Sequence, residues 1–444
     1  WVQLAILLVA ILIGSQMKGI GLGVMGMAGL LIFVAVFRMR PTDPPLDVML
    51  IILAIVTTAA TLQAAGGLDY LVTIAEKIIR KNPSRIVFVA PVVVYFLALF
   101  AGTSHIVYSM LPIISEVSAK QRIRPERPLS ISVVASHIAL TGSPMSAATA
   151  ALAGLLAEPT AAVHIMKICI PSCIIGVLAG ALSVLKMGKD LEKDPVFVEK
   201  MKDPAFAASI DSQSGKKQTM LKPGAKTAVI IFGLAILCIV LAGAFPSLIP
   251  TVPAGPAAFS VSASGTLTMG TVIEIVTLTA AGIMMLLTRT SPAQVAGASL
   301  FTSMAAAVVS VFGVVWMSST FIHHNQVAIQ NVLGDIAKAQ PWTFALAIFV
   351  MGAFMFSQAA TTRTMMPLGL TLGIAHPSLI AMFPAVNSDF VLPGYPTLLA
   401  AIQFDRTGST RIGRYVINHS FMRPGIVAVA TAIAVGFLLA GFIS

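Results

Sequence analysis

Two short stretches carry the residue types from which an anion site can be built. Gly142-Ser143-Pro144, with Ser146 just beyond, returns in outline 252 positions later as Gly394-Tyr395-Pro396 followed by Thr397. Each is preceded by another polar interruption: Thr103-Ser104-His105 ahead of Pro112, and Ser357, Gln358, Thr361, Thr362 and Arg363 ahead of Pro367. Hydroxyls and amides are neutral donors that bind a carboxylate yet release it, and arginine adds a planar fork of matching geometry. Asn387 and Asp389 precede the second Gly-x-Pro, and His105 and His137 lie near the first. Any of these four could meet a substrate, a cation or a proton. Each feature also has a plainer reading: Gly and Pro kink membrane helices, Ser and Thr bond back to their own backbone, and Arg363 could snorkel to water.

What surrounds these residues decides their meaning. Of 444 residues, 57% are hydrophobic and 10% charged, against about 25% charged in soluble domains, and the mean hydropathy is +0.93. Apolar runs at 20–37, 48–65, 163–185, 227–245, 269–288, 297–320 and 424–443 approach the roughly 20 residues that cross a hydrocarbon core. The chain reads as a polytopic membrane protein in a lipid bilayer. Its net charge of +11 sits in loops, where the positive-inside rule accounts for it, and nucleic acid is not an expected partner. Cys169, Cys173 and Cys238 fall in apolar runs and form neither a disulfide framework nor a zinc spacing. Neither His323-His324-Asn325 nor any other cluster suggests a metal. No GxSxG, P-loop or HExxH occurs, and no GxGxxG stands between a strand and a helix. Neither enzymatic activity nor a cofactor is expected.

A charged segment, 186–226, with nine lysines and six acids, separates residues 1–185 from 227–444. Its lysine excess assigns it to the cytoplasm. Pro112 and Pro367 are 255 positions apart, and Pro144 and Pro396 are 252 apart, so the halves read as repeats. The apolar pieces beside each interruption are too short to be independent spans. The expected fold is therefore all-α with two repeats, each holding a helical hairpin (86–119 and 342–375) and a discontinuous helix (129–157 and 378–403). A helix broken at membrane depth leaves N–H and C=O groups that cost several kcal/mol each unless protein, water or ligand meets them. The N-terminus of a half-helix favours an anion. Paired interrupted segments point to a transporter binding site. Two tips and two breaks would suit a molecule with two anionic ends.

The same residues carry a family resemblance. GGLDY (66–70), Glu76 to Pro83, AGTSHIVYSMLPII (101–114), IRPERP (123–128), SQAAT (357–361), LPGYPTLLAAIQFDRTGSTRIGRYVINHSF (392–421) and Pro424-Gly425 resemble the Dcu family of bacterial anaerobic C4-dicarboxylate transporters. The resemblance implies an inner-membrane antiporter that exchanges fumarate, malate or aspartate for succinate in anaerobic respiration. It also implies the elevator-type architecture of the ion transporter superfamily, with inverted repeats, a scaffold that commonly dimerises, and a mobile transport part. Gly394 stands where the family's signature would place Thr. Two alternatives stay open: a Na⁺- or H⁺-coupled symporter, and a partner of a membrane sensor kinase that docks on 186–226.

Overall fold

The computed structural model describes residues 1–444 except 1, 18–19, 45, 157, 159, 212–220, 254–259, 262–264, 302–307, 310, 330–339, 356, 393–394, 414–417 and 443–444. Among the described residues the fold is helical, with isolated β-bridges and no strands. Five described helices are long and apolar enough to cross a membrane: Pro83–Ala101, Ala161–Val184, Ala225–Ala242, Gly270–Thr288 and Met422–Ala440. Met49–Ala64 and Gly67–Lys81 meet at a 69° bend. Large apolar side chains such as Leu31, Leu286 and Leu346 stand exposed on the outside. That surface is stable in hydrocarbon and not in water. The chain is a multi-pass membrane protein.

The central body is built on Ala161–Val184 and Met422–Ala440, which pack along one another. Gly176 permits this closeness, because a Cβ there would strike the Ala428 carbonyl; small residues at helix crossings serve the same purpose throughout membrane proteins. Around this pair lie Ile86–Ala101, Glu126–Ile138 and His376–Met382. Together they bury one continuous core that includes Tyr95, Ile131, Ile168, Phe383 and Phe390.

Two flanking groups complete the body. Leu46–Ala64, Ala225–Ala244 and Met269–Thr288 close on Ile55, Leu62, Phe232 and Met284. Val2–Met17, Gly21–Ala35 and Trp316–Ile329 close on Phe33, Met317 and Phe321. His323 and His324 fall inside that last helix, where His324 Nε2 donates to the Arg40 carbonyl at 2.9 Å.

The charged divider is docked over part of its length. Arg124 bridges Glu126 (2.6 Å) and Asp194 (2.7 Å), and Arg127 bonds Asp190 (2.7 Å) and the Met187 and Gly188 carbonyls. Burial disfavours ionisation of Asp194, but the Val196 N–H and Arg124 outweigh it and hold its carboxyl below the ordinary carboxylate range.

Candidate functional site: two helix breaks joined by a buried polar hub

Each polar interruption breaks its helix by a recognisable local device. In the first hairpin, Ile86–Ala101 ends on Gly102 at φ +68°, a left-handed turn that favours glycine. Thr103 then caps the returning arm by accepting from the His105 N–H at 3.2 Å. The first discontinuous helix, Glu126–Ile138, tightens into a 3₁₀ turn over Ala139–Thr141 and restarts at Ala147–Leu156. Ser143 donates to the Leu99 carbonyl at 2.5 Å, which ties the first tip to the first break. Ser146 and Thr149 both donate to the Leu140 carbonyl, at 2.5 and 2.8 Å. The hydroxyls of this break are thus committed to carbonyls that the break itself orphans.

The second tip uses the same capping chemistry. Ser357 accepts from the Ala360 N–H at 3.2 Å and starts the helix Gln358–Thr371. Thr361 and Thr362 donate back to Ser357 and Gln358 carbonyls at 2.8 and 2.7 Å. The second break departs from the sequence expectation. Its first half-helix does not run to 392: α-helix ends at Met382, gives way to a 3₁₀ turn over Phe383–Asn387, and leaves Asp389 in a turn. Pro384 is the reason, because it has no N–H to continue the helical ladder, and Asn387 Nδ2 donates to the Pro384 carbonyl at 2.9 Å. Gly394 lies outside the described residues, as do Phe356 and residue 157 at the ends of expected segments. Tyr395 caps the helix Pro396–Phe404, with Pro396 in its first turn.

A buried hub joins the two breaks. His137 Nδ1–H donates to Asp389 Oδ1 at 2.9 Å, and His137 Nε2 lies 2.8 Å from the Thr397 hydroxyl. Gln358 donates to the other Asp389 oxygen at 2.8 Å. The Tyr395 ring packs edge-on to the imidazole at 4.7 Å, and the Ser104 hydroxyl lies beside the Tyr395 phenol. His137 and Asp389 are 1% and 0% exposed. Residues of both breaks and both tips thus meet in one polar cluster around a buried imidazole–carboxylate pair.

Four of the expected residues converge here, Ser104, Gln358, Tyr395 and Thr397, while Ser143 in the first break bonds the Leu99 carbonyl instead. Thr103 and His105 instead face a cavity of about 420 Å³ with Gln63, Asp69 and Tyr108. Gly142 packs on Ile170, and Pro144 sits in the turn of the first break. His137 and Asp389 are two of the four residues that could meet a substrate, a cation or a proton, and the sequence holds a signal for their pairing. They are 252 positions apart, the spacing that relates the two Gly-x-Pro elements.

Arg363 stands apart from the hub. It is 3% exposed, and its Nη1 is buried with no hydrogen-bond partner. No carboxylate pairs with it among the described residues. Thr364 Oγ1 and Asn387 Oδ1, on its own helix and on the adjoining 3₁₀ turn, are also buried without partners. A buried guanidinium without a counter-charge is strongly unfavourable, so Arg363 is the least satisfied charged group in this part of the described structure.

A polytopic helical membrane protein with broken helices around a buried polar site belongs to the class of carriers. The whole chain, residues 1–444, matches the model of the anaerobic C4-dicarboxylate membrane transporters, DcuA_DcuB. It is 39% identical to the C4-dicarboxylate transporter DcuA of Wolinella succinogenes, over 99% of this chain and 98% of that one. It is 37% identical to the anaerobic C4-dicarboxylate transporter DcuB of Escherichia coli O6:H1 over the same shares. DcuA of Escherichia coli K12 is 35% identical over 99% of both chains. The protein belongs to this transporter family, which is not enzymatic. A solved structure, the YdaH transporter of Alcanivorax borkumensis, aligns over 94% of this chain and 89% of that one at 16% identity, with a TM-score of 0.43 that is too low to bear on the fold.

Proposed function

We propose that the protein is a bacterial inner-membrane antiporter that exchanges C4-dicarboxylates, fumarate, malate or aspartate against succinate. In this reading residues 1–185 and 227–444 are inverted repeats flanking the 186–226 loop. The central body carries the substrate across by an elevator movement against the two flanking groups. The unpartnered Arg363 guanidinium is the observation that carries the reading, since a substrate carboxylate would supply the charge that the protein withholds. Thr364 and Asn387 offer neutral groups beside it, and the His137–Asp389 hub holds the two breaks in fixed relation around the dianion.

A second reading, a proton- or sodium-coupled symporter, is favoured by one feature: the fully buried Asp389 carboxylate, which could take up a cation. Counterflow separates the two. In proteoliposomes loaded with unlabelled succinate and given labelled fumarate without any ion gradient, exchange predicts rapid uptake that vanishes in empty vesicles. Uptake that ignores internal succinate and needs a gradient would establish symport.

A further inference from the structure

A cavity lined by two arginines lies apart from the His137–Asp389 hub, at the end of the molecule where the charged divider docks. There, between Pro396–Phe404 and Met422–Ala440, residues 411–413 pair with residues 418–420. The Arg411 N–H donates to Ser420 Oγ at 2.9 Å and the Gly413 N–H to the Asn418 carbonyl at 2.6 Å. Between this fold and the start of Met422–Ala440 is a cavity of about 650 Å³, lined by Arg411, Arg423, Asn418, His419, Ser420 and Glu126, with Met187 at its edge.

The charges in this cavity do not balance locally. Glu126 is already occupied, with Arg124 on one oxygen at 2.6 Å and the Ser420 hydroxyl on the other at 2.7 Å. His419 uses both ring nitrogens, donating to the Val391 carbonyl and accepting from the Phe421 N–H. Arg411 and Arg423 are exposed, and neither has a carboxylate partner among the described residues. Two free guanidiniums over a cavity with an amide at its rim suit a phosphate ester, whose oxygens accept several N–H bonds at once.

Location selects the source of that ester. Arg423 lies in the first turn of a helix long and apolar enough to span the membrane, and the ends of spanning helices are where lipid headgroups lie. Its exposed face continues through Ile426, Ala430, Ala434 and Leu438 at one-turn spacing, an apolar track on which an acyl chain could lie. Basic pockets at the cytoplasmic ends of spanning helices are where anionic headgroups bind. We propose that this cavity binds the phosphate of an anionic phospholipid, with Arg411 and Arg423 clamping the headgroup and the Met422–Ala440 face holding the chain. The proposal does not depend on which substrate is carried, because it invokes no residue of the transport site.

The test is thermal unfolding of the purified full-length protein in neutral detergent, titrated with short-chain phosphatidylglycerol, phosphatidylcholine of equal chain length, or glycerol 3-phosphate. Phosphatidylglycerol is expected to raise the midpoint where phosphatidylcholine does not. Half-saturation should weaken about tenfold or more in the Arg411→Gln/Arg423→Gln variant, from about 1 kcal/mol for each lost cation. Asn418→Asp, which adds a carboxylate while leaving both arginines, should weaken it too and decides the matter if the double variant does not fold. A glycerol 3-phosphate effect equal to that of phosphatidylglycerol would overturn the lipid assignment and make the ligand a soluble ester. A phosphatidylglycerol effect unchanged in both variants would overturn the site itself.

Discussion

The two helix breaks use the same vocabulary for different ends. At the first, Ser143, Ser146 and Thr149 are turned onto the carbonyls of Leu99 and Leu140, so its polar groups are satisfied by protein alone. In the second half, Arg363 and Thr364 on the helix that follows the tip and Asn387 at the break keep buried atoms without partners, while Asp389 and Thr397 are engaged by residues from elsewhere. The first break is a finished socket, and the second is an unfinished one. A buried polar group left unmet costs about 1–3 kcal/mol, more when charged. That cost is tolerable where a ligand repeatedly arrives to remove it. The substrate should therefore rest chiefly on residues of the second half.

The comparison is most exposed at the joint between the two sockets. His137→Ala removes one of the two donors to Asp389 and leaves a carboxylate that is 0% exposed with only the Gln358 amide, so stability should fall by about 3 kcal/mol. A drop in the unfolding midpoint in detergent would register this, and a midpoint within error of the parent would mean the hub is not structural. Arg363→Ala acts on the unfinished side alone. It should weaken succinate affinity about tenfold or more while leaving the unfolding midpoint equal or higher, since it deletes an unpaired buried charge. Equilibrium titration beside a melting curve checks both halves of that expectation.

Part of this difference was legible in the sequence and part was not. The polar interruptions at 103–105 and 357–363 and the first Gly-x-Pro could be placed because helix interruption is a local matter of backbone chemistry, whereas the sequence offered Thr103 and Ser357 as substrate donors and the structure makes them caps. The 3₁₀ turn at Phe383–Asn387 is equally local, yet the expected half-helix ran straight through Pro384 and did not anticipate it. The commitments of Ser143 and Ser146 were not legible. Whether a hydroxyl faces its own backbone or a ligand depends on which carbonyls the fold orphans nearby, and that is a tertiary fact. His137 and Asp389 fall between these cases. Their spacing matched that of the two Gly-x-Pro elements, but only the crossing of two distant segments turns equal spacing into a hydrogen bond. The cavity at Arg411 and Arg423 needed the pairing of residues 411–413 with 418–420, which hydropathy cannot describe.

Smaller effects sharpen the contrast from the finished side. Ser146→Ala leaves the Leu140 carbonyl bonded to Thr149, so it should cost about 1 kcal/mol and change succinate affinity less than about twofold, in contrast to Arg363→Ala. The smallest effect lies outside the membrane. Asp194 has a carboxyl held below its ordinary value of 3.8, so the stability it lends to the docked divider is present above that value and lost as pH falls through the lower, folded one. Protease cleavage within 186–203 should be constant from neutral pH down to about 4 and rise only below it; Asp194→Asn should cleave faster at neutral pH.

The claim that a substrate carboxylate completes Arg363 is tested most directly by comparing succinate with its monoamide. Calorimetric titration of the parent protein should show a clear preference for the diacid, and Arg363→Gln should erase most of that preference by weakening succinate far more than the monoamide. A preference of unchanged size in Arg363→Gln would show that the carboxylate is recognised elsewhere, and the contrast between a finished and an unfinished break would lose its functional meaning.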